Sequence, residues 1–126
     1  MNREILFRGK GNPKYNDGDW YYGYLLFDGE DYQIVEPGYC SNCRTVLNET
    51  VGQHIGLNDR QDKPIFEGDI VEVDGEEFPF LIEYDEQDAI WLATNHYGIL
   101  SFRDNITGDD CAIIGNICEN PNLLSK

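Results

Sequence analysis

Cys40-Ser41-Asn42-Cys43 is the arrangement in this chain best suited to chemistry. Two thiolates at that spacing can grip one zinc ion from a tight turn, but a structural zinc needs two further ligands. Cys111 and Cys118 are seven residues apart, the wrong spacing for a second such turn. His54 and His96 are candidate ligands that nothing in the sequence brings near. Redox chemistry at the pair would need a thiolate held at a helix N-terminus, and no helix is signalled after Cys43. Cys40 and Cys43 therefore read as loop thiols, with metal binding the lesser reading. Cys111 and Cys118 read as small buried residues of a terminal strand.

Carboxylates cluster at Asp28-Glu30-Asp31, Glu76-Glu77 and Asp85-Glu86-Asp88. None has the spacing of a calcium loop, and each falls at a turn, where solvated charge is expected. Ser41, Ser101 and Ser125 sit in no strained nucleophile elbow. His54 lies among apolar strand positions and reads as an edge residue. His96 precedes Tyr97-Gly98, a plain turn. The segment GKGNPK lacks the strand, helix and Lys-Ser/Thr ending of a phosphate loop. No catalytic set is present and no cofactor is implied, so the reading is non-enzymatic.

Trp20, Tyr21, Tyr22 and Tyr24 form an aromatic run. Strand alternation puts Trp20, Tyr22 and Tyr24 on one face and Tyr21 on the other. With aromatics on both faces, one face is a candidate protein interface, weighed against plain core packing. The same residues could stack bases, but the acid excess opposes that.

The elements that position these residues are strands. Ile5 and Phe7 alternate with charged neighbours in REILFR. WYYGYLLF (20–27) is a second strand and Asp28-Gly29 a turn. YQIVE (32–36) is a third strand, and YCSNCR a loop. VGQHIGL is a short strand, and NDRQDK a polar turn. PIFEGDIVEV turns at Gly68 into a strand, and Asp74-Gly75 is a hairpin turn before EFPFLIEY. IWLAT, ILSF and CAIIGNI complete the set, and one short helix fits near ENPNLL. Strand spacing of about 8–12 residues points to a small barrel or a sandwich.

Charge narrows the function classes. Twenty-four acids face nine Lys and Arg, for a net −15 across 126 residues. From Pro64 to Phe102 there are ten acids and no Lys or Arg. Arg3, Arg8, Lys10 and Lys14 give the N-terminus the opposite sign, a polarity able to steer self-association. Binding nucleic acid directly needs clustered basic residues, which are absent. No apolar run approaches the ~20 residues that span a bilayer. With no cleavage signature at the N-terminus, the expected location is the cytoplasm. Four cysteines in a cytosolic chain are expected to be reduced.

REILFRGK, WYYGYL, ETVGQHIGLNDRQDKPIFEGDIV and the ending IIGNICENPNLL resemble the YopX family of small phage and prophage proteins, in order over nearly the whole chain. The resemblance implies a mainly β fold. It places a small antiparallel SH3-like barrel at residues 50–126 and an N-terminal β-rich extension at 1–49, or one continuous compact unit, with little helix. It brings no catalytic activity, and it implies self-association. It casts Gly52, Gly56, Gly68 and Gly115 as bends and Asn120-Pro121 as a terminus.

The combined expectation is a phage or prophage accessory protein in the bacterial cytoplasm. It is a non-enzymatic interaction module that forms a homo-oligomer, with an unidentified phage or host protein as a further partner. Two rivals stand beside it. An acidic mimic of nucleic acid would arrange the ten carboxylates as one regular ribbon over a host DNA-binding protein. An enzyme would gather His54 or His96 with carboxylates or thiols in a deep pocket.

Overall fold

The protein is described by a computed structural model over residues 6–36 and 43–124. It is mainly β, with two antiparallel sheets. The chain forms two compact units, Met1–His54 and Ile55–Lys126.

The first unit contains β1 (Phe7–Lys10), β2 (Trp20–Phe27), β3 (Tyr32–Val35), β4 (Cys43–Thr45) and the opening of β5 (Gly52–Asn58). These run in the order β4-β3-β2-β1-β5, and β6 (Pro64–Phe66) is the last strand of the same sheet. Each turn has a local cause. Asn12 builds the β1–β2 turn, because its side chain accepts the Lys14 N–H at 3.0 Å. Asp28 builds the β2–β3 turn by accepting the N–H groups of Asp31 and Glu30, which hold its carboxyl below the usual range. Gly29 follows at φ +97°, where a Cβ would be strained. Ile34 and Val46 are buried here, and Val46 lies where a side chain at Gly9 would be. Cys43 and Arg44, expected in a loop, are in β4 instead, paired with Val35 and Ile34.

The second unit carries β7 (Asp69–Val73), β8 (Phe80–Asp85), β9 (Ile90–Asn95), β10 (Gly98–Ser101) and β11 (Cys111–Asn116), in the order β10-β9-β8-β7-β11. Its core holds Ile65, Val71, Phe80, Ile82, Ala93 and Cys111. Each fully buried aliphatic side chain contributes about 1.5–3 kcal/mol of transfer free energy. Among the described residues the strands form no closed barrel. The short helix near the C-terminus is a single 3-10 turn, Pro121–Leu124.

Two buried carboxylates fix the corners of this unit. Asp69 accepts the Phe66 N–H at 2.8 Å, closing the bend from β6 into β7 around Gly68, whose φ is +90°. Asp59 does more. One oxygen accepts the N–H groups of Gln61 and Lys63, both at 2.9 Å. The other accepts the Ile113 N–H at 3.1 Å, tying the β5–β6 turn to β11. Burial pushes the Asp59 carboxyl upward. The amides of Ile113, Lys63 and Gln61, with the Lys63 charge, outweigh burial and hold it below the usual range.

These contacts set the cost of breaking them. A Cβ at Gly23 would collide with the Val35 carbonyl across the β2–β3 pair, so Gly23→Ala is expected to destabilise by about 1–3 kcal/mol in urea titration. Asp59→Asn is expected to cost about 1–3 kcal/mol at neutral pH, since backbone amides lose a charged acceptor. Because the folded Asp59 ionises more readily than the unfolded one, its contribution is full above about pH 4. It fades as pH falls through the lower folded value, and urea titrations of both proteins down that range should converge.

Candidate functional site

Strand β2 is eight residues long and its two faces differ. The odd positions pack as far as Leu25, and Phe27 at the strand end is exposed. Tyr21 stands opposite Gly9, Gly23 opposite Phe7 and Leu25 opposite the buried Ile34. The even positions Tyr22, Tyr24 and Leu26 are exposed at 44%, 57% and 47%. Side chains at i, i+2 and i+4 share a face, so these three form one apolar row. Trp20 begins that row half-buried, with the Arg8 guanidinium 4.9 Å from its ring. Val35 and Gln33, opposite Tyr24 and Leu26, continue the face onto β3. Tyr21 is half-buried on the other face, 5.6 Å from the Arg44 guanidinium. Of the four aromatic candidates, Tyr22 and Tyr24 are presented outward while Trp20 and Tyr21 are partly covered.

The remaining sequence candidates scatter. Cys40 lies outside the described residues. Cys43 is exposed on β4. Cys111 is buried, and burial, then the neighbouring Asp110 charge, pushes its thiol up to about 11. Its Sγ lies 3.6 Å from the Thr107 carbonyl, to which it donates. Cys118 is exposed, not buried as expected, because it follows the end of β11 rather than lying within it. Among the described residues no group of three or more His, Cys, Asp or Glu is placed to hold a metal ion.

His54, expected at an edge, is buried on β5, whose neighbours are β1 and β6. His96 is exposed in the β9–β10 turn. The Ser101 hydroxyl oxygen accepts the Arg103 N–H at 3.0 Å, and Ser41 and Ser125 lie outside the described residues. Arg8 is 7% exposed and stacks on Trp20, so it is not part of a solvated basic arm.

The ten acids between Pro64 and Phe102 do not form one ribbon. Asp69 is buried in the β6–β7 bend. Asp74 pairs with Arg60 at 2.9 Å. Glu76 and Glu77 precede β8, whereas Asp85, Glu86 and Asp88 cluster at its far end, about 20 Å away for a strand of this length. That division weighs against a phosphate-like lattice.

Sequence reasoning missed one feature. A groove of about 350 Å³ in the second unit is lined by Glu76, Glu77, Phe78, Tyr97 and Ile99, among others. Phe78 and Tyr97 stack with ring centroids 4.6 Å apart. The available signal was Tyr97-Gly98-Ile99, two large apolar residues around a glycine at a turn. Among the described residues no helix is long and apolar enough to cross a membrane.

Comparison with known proteins gives one positive result. The sequence model of a family described as YopX protein matches residues 14–125. No curated protein matches the chain.

The thiols separate by environment, since only thiolates react quickly. Iodoacetamide at neutral pH is expected to label Cys43 and to leave Cys111 unlabelled until denaturant is added. Peptide mass mapping reads this directly, and rapid native labelling of Cys111 would contradict its burial.

Proposed function

Because the chain belongs to the YopX family, we propose that it is a phage or prophage accessory protein acting as a non-enzymatic protein-interaction module that self-associates. The observation that carries this reading is the exposed row Tyr22, Tyr24 and Leu26 on β2. Tyrosine brings large, stiff, amphipathic contact area and is enriched at interface centres. A sheet face that meets its own copy across a two-fold axis makes one such row serve both partners. Gln33 lies beside the row on the same face and would supply part of its polar border.

The second unit supports an SH3-like reading in its connectivity. β7 to β10 run as a meander and β11 returns beside β7. The cytoplasm of the bacterial host is the proposed setting.

Sedimentation velocity across micromolar concentrations tests the proposal. The wild-type chain should sediment as an oligomer. Tyr24→Glu combined with Leu26→Glu should weaken association at least tenfold, about 1.4 kcal/mol, while circular dichroism and the urea midpoint stay unchanged. A wild-type chain that remains monomeric throughout would remove self-association.

A further inference from the structure

We infer that the Phe78–Tyr97 groove binds an extended, arginine-bearing segment of a partner protein, whose main chain pairs with β10 at Ile99. Four observations on the second unit converge on that occupant. Phe78 and Tyr97 are stacked at an interplanar angle of 20°, and Tyr97 and Ile99 are exposed at 66% and 64%. This gives an apolar floor with one aromatic face turned outward. Glu76 and Glu77 stand at its rim, both exposed, with no ion-pair or hydrogen-bond partner for either carboxylate among the described residues. No Lys or Arg occurs from Pro64 to Phe102, so this stretch supplies no cation of its own. Finally, β10 is the margin of its sheet and among the described residues pairs only with β9; the Ser101 N–H and carbonyl are taken by Asn105 Oδ1 and by the N–H groups of Asn105 and Ile106, so the backbone open on the outer side is that of Ile99.

Each feature selects a part of the ligand. An open strand edge takes an extended peptide through main-chain hydrogen bonds, and adjacent pockets read alternate side chains. An aromatic face beside carboxylates favours a cation. Arginine fits better than lysine, because its planar guanidinium stacks on a ring while its fork reaches a carboxylate. An acidic segment meets like charge, and an apolar one leaves Glu76 and Glu77 unused.

The groove itself is locally built. The Asn95 carboxamide oxygen accepts the N–H groups of Tyr97 and Gly98, at 2.8 and 3.0 Å, which shapes the turn that presents the Tyr97 ring. The Asn95 side-chain N–H donates to the Pro79 carbonyl at 3.3 Å, linking that turn to the segment carrying Phe78. This site goes beyond self-association through β2 and stands independently of it.

The test uses the full chain and three fluorescein-labelled β-prone peptides identical except for a central Arg, norleucine or Glu. In fluorescence anisotropy the Arg peptide should bind at least tenfold tighter than the other two, and added salt should weaken it. Glu76→Gln with Glu77→Gln should lose about that advantage, and Tyr97→Ala should weaken binding too, with the sedimentation of both proteins unchanged. Amide hydrogen exchange within residues 98–101 should slow at Ile99 when the Arg peptide is bound. Equal binding of the three peptides, no binding of any, or an undiminished Arg preference in the glutamine variant would overturn the inference. So would protection confined to segments outside 98–101. Loss of self-association in the β2 variant, with peptide binding intact, would mark the two sites as separate.

Discussion

Neutralising buried carboxylates with backbone N–H groups is the constraint on which the second unit depends. Asp59 and Asp69 are each 2% exposed in a chain of net charge −15, and buried anions are costly unless their lone pairs are satisfied. The amides of Gln61, Lys63 and Ile113 meet Asp59, and that of Phe66 meets Asp69. Polar loop groups that would otherwise need water gain a charged acceptor, and charged acceptors make stronger hydrogen bonds than neutral ones. The exposed Arg60–Asp74 pair adds at most about 1 kcal/mol, since solvent screens it.

On the proposed reading, recognition falls to the outer surfaces. The two units solve that differently. The first turns an aromatic row outward from the middle of a sheet, a surface suited to broad apolar contact. The second offers a sheet margin with an aromatic floor and two solvated carboxylates, suited to a narrow, charged, extended ligand. Both are bordered by turns that Asx side chains set, as at Asp28-Gly29 and Asn95.

Alternation carried most of the legible information. Apolar runs bounded by turn residues located β2, β3, β9 and β10 closely, and alternation divided β2 between its two faces. It put Tyr22 and Tyr24 on a common face, and the structure exposes both. It could not say that Trp20 would be partly covered, since Arg8 reaches that ring from a neighbouring strand. NDRQDK read as a polar turn, and nothing local marks Asp59 as different from Asp62. Their roles diverge because Asp59 gathers the Gln61 and Lys63 amides within the turn and Ile113, far along the chain, adds its N–H. The groove escaped for the same reason. Phe78 and Tyr97 become a pair only once β8 and β9 have aligned. The resemblance to the YopX family was visible in the order of its blocks. It implied a closed barrel, whereas among the described residues both sheets stay open.

The bond from Ile113 to Asp59 joins residues 54 apart, and β11 pairs with β7 across about 40. Non-local pairing of that kind slows folding, since a long loop must close before any contact rewards it. During synthesis β7 emerges well before β11, so its flank has no strand to pair with until the segment from Cys111 onward has left the ribosome. The first unit, which precedes β7 in the chain, has left the ribosome by then. β11 is therefore the last strand able to join its sheet as the chain is made.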